Sequence, residues 1–273
     1  VLEYADTAAP DLDAELLARC AAAATTRVPG TDPAELATAL GVVARTPLGP
    51  LAGGRTLADV VPRDRLAELE FELPLAGGDG DLPGSERATA DGSAREGATL
   101  SGVATLLTRY LDDDDAFAAY PALLAELAAA DPTARPLRGY LTGSIDAVLR
   151  VPGDDGAPRF LVVDYKTNRL GAFDVPLTAH DYRPEATVDA MLHAHYPLQL
   201  VLYLVALHRY LAWRLPGYDP DVHLGGGLYL FVRGMCGPAT PTGPDGAPYG
   251  VVSWVPPRGL VPALSVLLDG GDA

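Results

Sequence analysis

Cysteine is nearly absent from this 273-residue chain, which carries only Cys20 and Cys236. Two are too few for a disulfide framework, a four-cysteine zinc site or a four-cysteine iron–sulfur cluster, so both read as isolated thiols. Long apolar runs are also missing. None reaches the ~18 residues of a membrane-spanning helix, and no membrane association is expected. No GxxxxGK[ST] phosphate loop occurs, so this stretch offers no ATP site of that kind. Basic charge is scarce: 20 Lys and Arg stand against 36 Asp and Glu, a formal net charge of −16. Phosphate contacts need Lys and Arg, so free, charge-driven DNA binding is disfavoured. Either the chain binds no nucleic acid, or DNA is delivered to it by attached domains or partners. Part of the acid surplus, at residues 112–115 and 154–155, reads as solvated loop. The chain opens on Val1 without a signal-peptide pattern, which reads as a piece of a longer cytoplasmic protein. Its length suffices for one large domain or two small ones.

Helical and strand patterns divide the rest. Asp11 caps an apolar periodicity through Leu12, Leu16, Leu17 and Ala21. Asp32-Pro33-Ala34-Glu35 sets an N-cap acid, proline at N1 and glutamate at N3 at the start of a second helix. Glu68 to Leu75 alternates strictly, acids on one face and Leu69, Phe71, Leu73 and Leu75 on the other, as a half-buried strand does. Residues 76–98 are rich in Gly, Asp and Ser without period and are expected to form a mobile loop. Helices are expected over 99–111 and 121–130, strands over 140–150 and 159–166 joined by a hairpin connection, and an irregular loop over 168–185. A mostly apolar helix follows over 197–215, then a strand over 228–233 led in by Gly225-Gly-Gly227, and a short amphipathic helix over 260–268. A strand, a long helix and a strand imply a crossover and a parallel pair. The fold class is α+β with a central mixed β-sheet flanked by helices, expected as a single domain over residues 1–273.

The chemistry gathers on the two hairpin strands. Phe160-Leu-Val-Val-Asp164-Tyr-Lys166 ends an apolar run in a carboxylate and an amine two residues apart. Strand side chains alternate, so Asp164 and Lys166 share a face and Tyr165 points away. Asp146, in Gly143-Ser-Ile-Asp146, lies on the neighbouring strand. Facing carboxylates are costly to bury unless a cation binds between them, and a divalent metal is the usual solution. A lysine beside such a metal can orient an attacking water. Gln199 and Tyr203, four apart on one face of the apolar helix, are polar exceptions that point to a site.

These residues resemble the RecB-type nucleases of the PD-(D/E)XK superfamily. Gly143-Ser-Ile-Asp146, Asp164-Tyr-Lys166 and Gln199-Leu-Val-Leu-Tyr203 match the GxxD, DxK and QxxxY motifs of that family. The segments 163–171, 196–211 and 225–234, with Glu68-Leu-Glu-Phe71, extend the likeness over nearly the whole chain and are similar to the C-terminal nuclease domain of RecB subunits of exodeoxyribonuclease V. The resemblance implies a restriction-endonuclease-like core. It also implies Mg²⁺, with Mn²⁺ as a substitute, held by Asp146, Asp164 and the backbone carbonyl of Tyr165. Lys166 would position the hydrolytic water, and Gln199 and Tyr203 would contact the site or the DNA backbone. Val1-Leu2-Glu3 resembles the end of the family's first motif, whose metal-binding histidine is expected just before Val1. The helicase motor, and ATP with it, is expected further upstream, and the isolated chain is expected to be impaired as a nuclease. Implied partners are DNA, RecC- and RecD-like subunits and RecA.

Other residues read as structural. His193, His195 and His208 lie near or on the apolar helix, and His193 and His195 are not spaced as a helical ligand pair. Glu68, Glu70 and Glu72 read as a solvated face, and Trp213 and Trp254 as packing residues. Two competing readings remain. One is a catalytically silent nuclease-fold module serving assembly or regulation, against which the intact Asp146, Asp164 and Lys166 stand. The other is an AddB- or Cas4-like nuclease, disfavoured by the lack of cluster-forming cysteines.

Overall fold

The computed structural model describes residues 1–25, 30–76, 97–130, 136–153 and 156–271. The loop expected over 76–98 falls almost wholly outside them. Eight helices and five strands follow in chain order among the described residues: α1 (Leu12–Ala24), α2 (Pro33–Ala44), β1 (Arg65–Pro74), α3 (Leu100–Tyr110), α4 (Tyr120–Ala130), β2 (Tyr140–Pro152), β3 (Pro158–Lys166), α5 (Pro184–His193), α6 (Tyr196–Arg214), the single turn α7 (Pro220–His223), β4 (Leu224–Phe231), β5 (Val251–Trp254) and α8 (Leu260–Leu268). The strands form one mixed sheet in the order β1-β2-β3-β4-β5. The pairs β2–β3 and β4–β5 are antiparallel. This is the α+β architecture with a central mixed sheet that the pattern predicted.

Local chemistry explains the helix starts. The Asp11 carboxylate accepts from the Ala14 amide at the head of α1, and Asp32 accepts from Ala34 at the head of α2, where Pro33 takes the first position. Alternation holds in β1, where odd-numbered residues are covered and even-numbered ones exposed. Three expectations need correction. Residues 168–185 are not irregular throughout: a 3-10 turn spans Ala179–Tyr182 and α5 begins at Pro184. The strand expected over 228–233 instead takes in Gly225-Gly-Gly227 and is buried along its whole length. A Cβ on Gly225 would lie 2.5 Å from Leu161 Cδ2 and 3.1 Å from the Phe160 carbonyl, so close strand packing explains the glycine there. β5 was not expected at all.

The chain divides into two compact units. The first comprises residues 1–69, 145–191 and 225–254, and the second residues 70–144, 192–224 and 255–273. In the first, Leu12, Leu16 and Cys20 of α1 and Ala37, Val43 and Ala44 of α2 pack on Ala147, Leu149 and Val151 of β2, Leu161 and Val163 of β3, and Leu228 and Leu230 of β4. Odd-numbered residues of β2 and β3 therefore face these helices. Strand alternation sends Asp146, Asp164 and Lys166 to the opposite face. In the second unit α3 packs against α4 and α8, and α6 against α8. Arg209 of α6 ties that group together by donating to the carbonyls of Pro74 and Ser265 and to Ser265 Oγ. No single helix among the described residues is long and apolar enough to cross a membrane.

Candidate active site

The hairpin register pairs Ala147 with Val163, Val148 with Val162 and Leu149 with Leu161. One step further along that register come Asp146 and Asp164. The Tyr165 amide donates to Asp146 Oδ2 at 2.8 Å, which orients that carboxylate and the Tyr165 peptide together. Asp164 is only 3 % exposed and Lys166 9 %, so this is a charged pair in a protein interior. Lys166 Nζ lies 2.6 Å from Asp164 Oδ2 and 4.9 Å from the centre of the Tyr229 ring. Asp164 Oδ2 is buried, and the Lys166 ammonium is its close charged partner.

Burial pushes Asp164 up to about 6. Lys166 opposes that rise through hydrogen bonding and charge, while Asp146 and Glu3 reinforce it. Glu3 is also raised, first by burial, then by Asp146 and Glu68. Negative charge is thus concentrated where Glu3, Asp146 and Asp164 approach one another. Sequence reasoning assigned Glu3 only to a motif boundary and read Glu68 as a solvated side chain. Glu68 is indeed exposed, but its φ of 45° places a non-glycine residue in the left-handed region, and its carboxyl is bonded to that of Glu3. Arg65 was missed outright. Its guanidinium donates to the carbonyls of Leu2, Glu3 and Ala5 and to Thr7 Oγ1, and lies 3.5 Å from the Tyr165 hydroxyl. It anchors the segment that carries Glu3, and an arginine bonding to distant carbonyls leaves no spacing signal.

The structure brings Asp146, Asp164, Tyr165 and Lys166 together in the first unit and Gln199 with Tyr203 in the second. Gln199 Nε2 donates to Tyr203 Oη at 2.9 Å, and the Tyr203 ring meets Phe71 edge-on at 6.0 Å. His208 bonds Tyr218 at 2.9 Å, a structural role, and His195 is exposed. Trp254 packs as expected, but Trp213 does not: it is 76 % exposed, with the Arg214 guanidinium 4.9 Å from its ring.

Among the described residues no group of three or more His, Cys, Asp and Glu side chains stands in metal-ligating geometry. The donor set still suits a small hard cation. Mg²⁺ is usually held by one or two carboxylates and keeps several waters, and Asp146 and Asp164 offer two carboxylates on adjacent strands.

The raised Asp164 has a stability consequence. A carboxyl whose folded value lies above its ordinary 3.8 favours the fold when protonated. That contribution is fully present below about pH 4 and is lost as pH rises through about 6. A shift of this size corresponds to roughly 3 kcal/mol at most. Thermal unfolding of metal-free protein should show this loss between pH 4 and 7, and Asp164→Asn, which cannot ionise, should lack it. Parallel pH profiles for the two proteins would contradict the assignment.

With the fold and the site described, comparison with known proteins decides the kinship. The chain is 53 % identical over 269 residues, 98 % of its length, to the RecBCD enzyme subunit RecB of Mycolicibacterium smegmatis. It is 50 % identical over 275 residues, 99 % of its length, to the same subunit of Mycobacterium tuberculosis. This chain belongs to the RecB family. RecB of Escherichia coli matches at 42 % over 99 residues, 36 % of the chain and 8 % of that protein. The chain spans 23 % of the length of the mycobacterial RecB relatives. No family model matches it.

Proposed function

We propose that this RecB-family chain is a metal-dependent deoxyribonuclease: the nuclease part of a helicase–nuclease that acts in double-strand break repair and recombination and degrades linear DNA. The observation that carries this reading is the buried Asp164–Lys166 pair beside Asp146 on adjacent antiparallel strands. The relatives named as RecBCD subunits support it, and RecC- and RecD-like partners with it.

Asp146 and Asp164, with the Tyr165 carbonyl, would hold Mg²⁺ or Mn²⁺, and the bound cation would supply Lewis acidity toward a phosphate oxygen. The chain's own residues do the remaining work. Lys166 donates toward the attacking water and offsets negative charge as the new P–O bond forms and one ester P–O bond breaks. The proton lost by water passes to solvent, and the departing ester oxygen takes one up. The Tyr165 amide, through Asp146, keeps that carboxylate turned toward the site. Gln199 and Tyr203, bonded to each other, are suited to contact the DNA backbone. With a net charge of −16, the chain relies on an attached motor and partner subunits to bring DNA to it.

The test is degradation of linear DNA by the full-length subunit in its complex. It should stop on chelation and resume with Mg²⁺ or Mn²⁺. Cleavage that persists under chelation would refute the reading.

A further inference from the structure

The strand that ends in Lys166 runs into an ordered loop that presents an aromatic ring to solvent. Arg233 Nε donates to the Thr167 carbonyl at 2.9 Å, and the Tyr182 hydroxyl donates to the Asn168 carbonyl at 2.9 Å. Arg169 Nη2 donates to the carbonyls of Ala172 and Val175 at 2.7 and 2.6 Å, closing the loop on itself. Asp181 caps the following turn by accepting from the Thr178 amide and hydroxyl. Gly171 sits so close to Leu177 and Asp181 that a Cβ there would lie 2.8 Å from Leu177 Cδ2. Within this braced loop Phe173 is 93 % exposed, the most exposed large apolar side chain among the described residues. The Arg169 guanidinium carbon lies 5.8 Å from the centre of its ring.

A single exposed apolar residue is ordinarily unremarkable. Three features separate this one. The backbone of the loop that carries it is held by donors from three different side chains, at Thr167, Asn168, Ala172 and Val175, so presenting the ring adds little ordering cost on binding. A guanidinium lies against the ring, and such an arginine adds cation–π attraction to an aromatic stacking platform. The loop also begins at the last residue of the strand that bears Asp164 and Lys166, and Arg169 is three residues beyond Lys166, at most about 11 Å along the chain. That places the ring within a few nucleotides of the proposed cleavage point.

We propose that Phe173 is a stacking platform for an unpaired base of the DNA strand being cut, with Arg169 holding the ring and adding positive charge beside it. The inference rests on the nuclease reading and deepens it, because it makes the substrate at this point a single strand with a splayed base. Base–aromatic stacking of this kind is worth roughly a 5- to 150-fold change in affinity on alanine substitution.

The experiment uses the full-length subunit in its complex and short single-stranded oligonucleotides with Mg²⁺. Asp164→Ala runs alongside as the control for the nuclease reading. Phe173→Ala should raise KM by about 5-fold or more with kcat little changed, and Phe173→Trp should restore it. A series of oligonucleotides with one abasic position should show a site at which the wild type loses affinity and Phe173→Ala loses no more. A merely structural role would not produce that position-specific match. If Asp164→Ala abolishes cleavage but Phe173→Ala leaves KM and abasic sensitivity unchanged, the stacking inference is overturned and the nuclease reading stands. If Asp164→Ala cleaves like wild type, the nuclease reading falls, and this inference with it.

Discussion

Asp164→Ala in the full-length protein should abolish Mg²⁺-dependent degradation of linear DNA while leaving the fold intact. Asp164 is buried and sits one strand from Asp146, so its removal takes away a proposed ligand for the cation and the partner of Lys166 at once. The fold should tolerate the loss. Burial already raises this carboxyl to about 6, so its own charge is held in the interior at a cost, and the variant is expected to fold with a lowered melting temperature because Lys166 loses its buried partner. Loss of both cation and geometry should bring cleavage below about one thousandth of the wild-type rate. The check is linear-DNA degradation paired with circular dichroism and a thermal melt. Retention of most of the wild-type rate by a folded variant would sink the assignment.

Lys166→Gln should separate turnover from binding. Lys166 is only 9 % exposed and its ammonium is held between the Asp164 carboxylate and the Tyr229 ring, which suits a fixed charge acting on the reacting phosphate rather than a mobile phosphate anchor. Removing one preorganised donor of this kind typically costs ~10²–10³ in kcat. DNA affinity, measured with Ca²⁺ in place of Mg²⁺, should change little. If cleavage survives and only affinity falls, Lys166 is a phosphate anchor and the role proposed for it is wrong.

The parts of this molecule that were legible in its sequence are those written in short-range periodicity. Asp11 and Asp32 announced their helices because a cap acts within three residues. The β1 alternation and the hairpin strands were readable because strand side chains alternate with period two, and the same rule placed Asp164 and Lys166 on one face. What escaped has physical reasons too. α5 buries only Thr187 and Met191, so it carries almost no apolar stripe to read. β5 has four residues between Gly- and Pro-rich stretches and draws its stability from pairing with β4, a partner distant in sequence. Glycines usually weaken strands, which hid the start of β4, while the packing against Leu161 that favours glycine is a tertiary fact.

The site divides in the same way. That Asp146, Asp164 and Lys166 lie together was legible from spacing. The coupling of Glu3 to Asp146 and Asp164, the left-handed Glu68 and the Arg65 anchor depend on contacts across some 60 to 160 residues, which no local pattern encodes. Trp213 shows the converse error, since an aromatic residue expected to pack lies largely in solvent.

The proposal on which the nuclease reading turns is that Asp146 and Asp164 together hold a divalent cation. Its most direct test is Mn²⁺ titration followed by electron paramagnetic resonance on the wild-type chain, Asp146→Asn and Asp164→Asn. The wild type should show one weak Mn²⁺ site that is lost in both variants while their folds persist; equal Mn²⁺ binding by all three proteins would overturn the proposal.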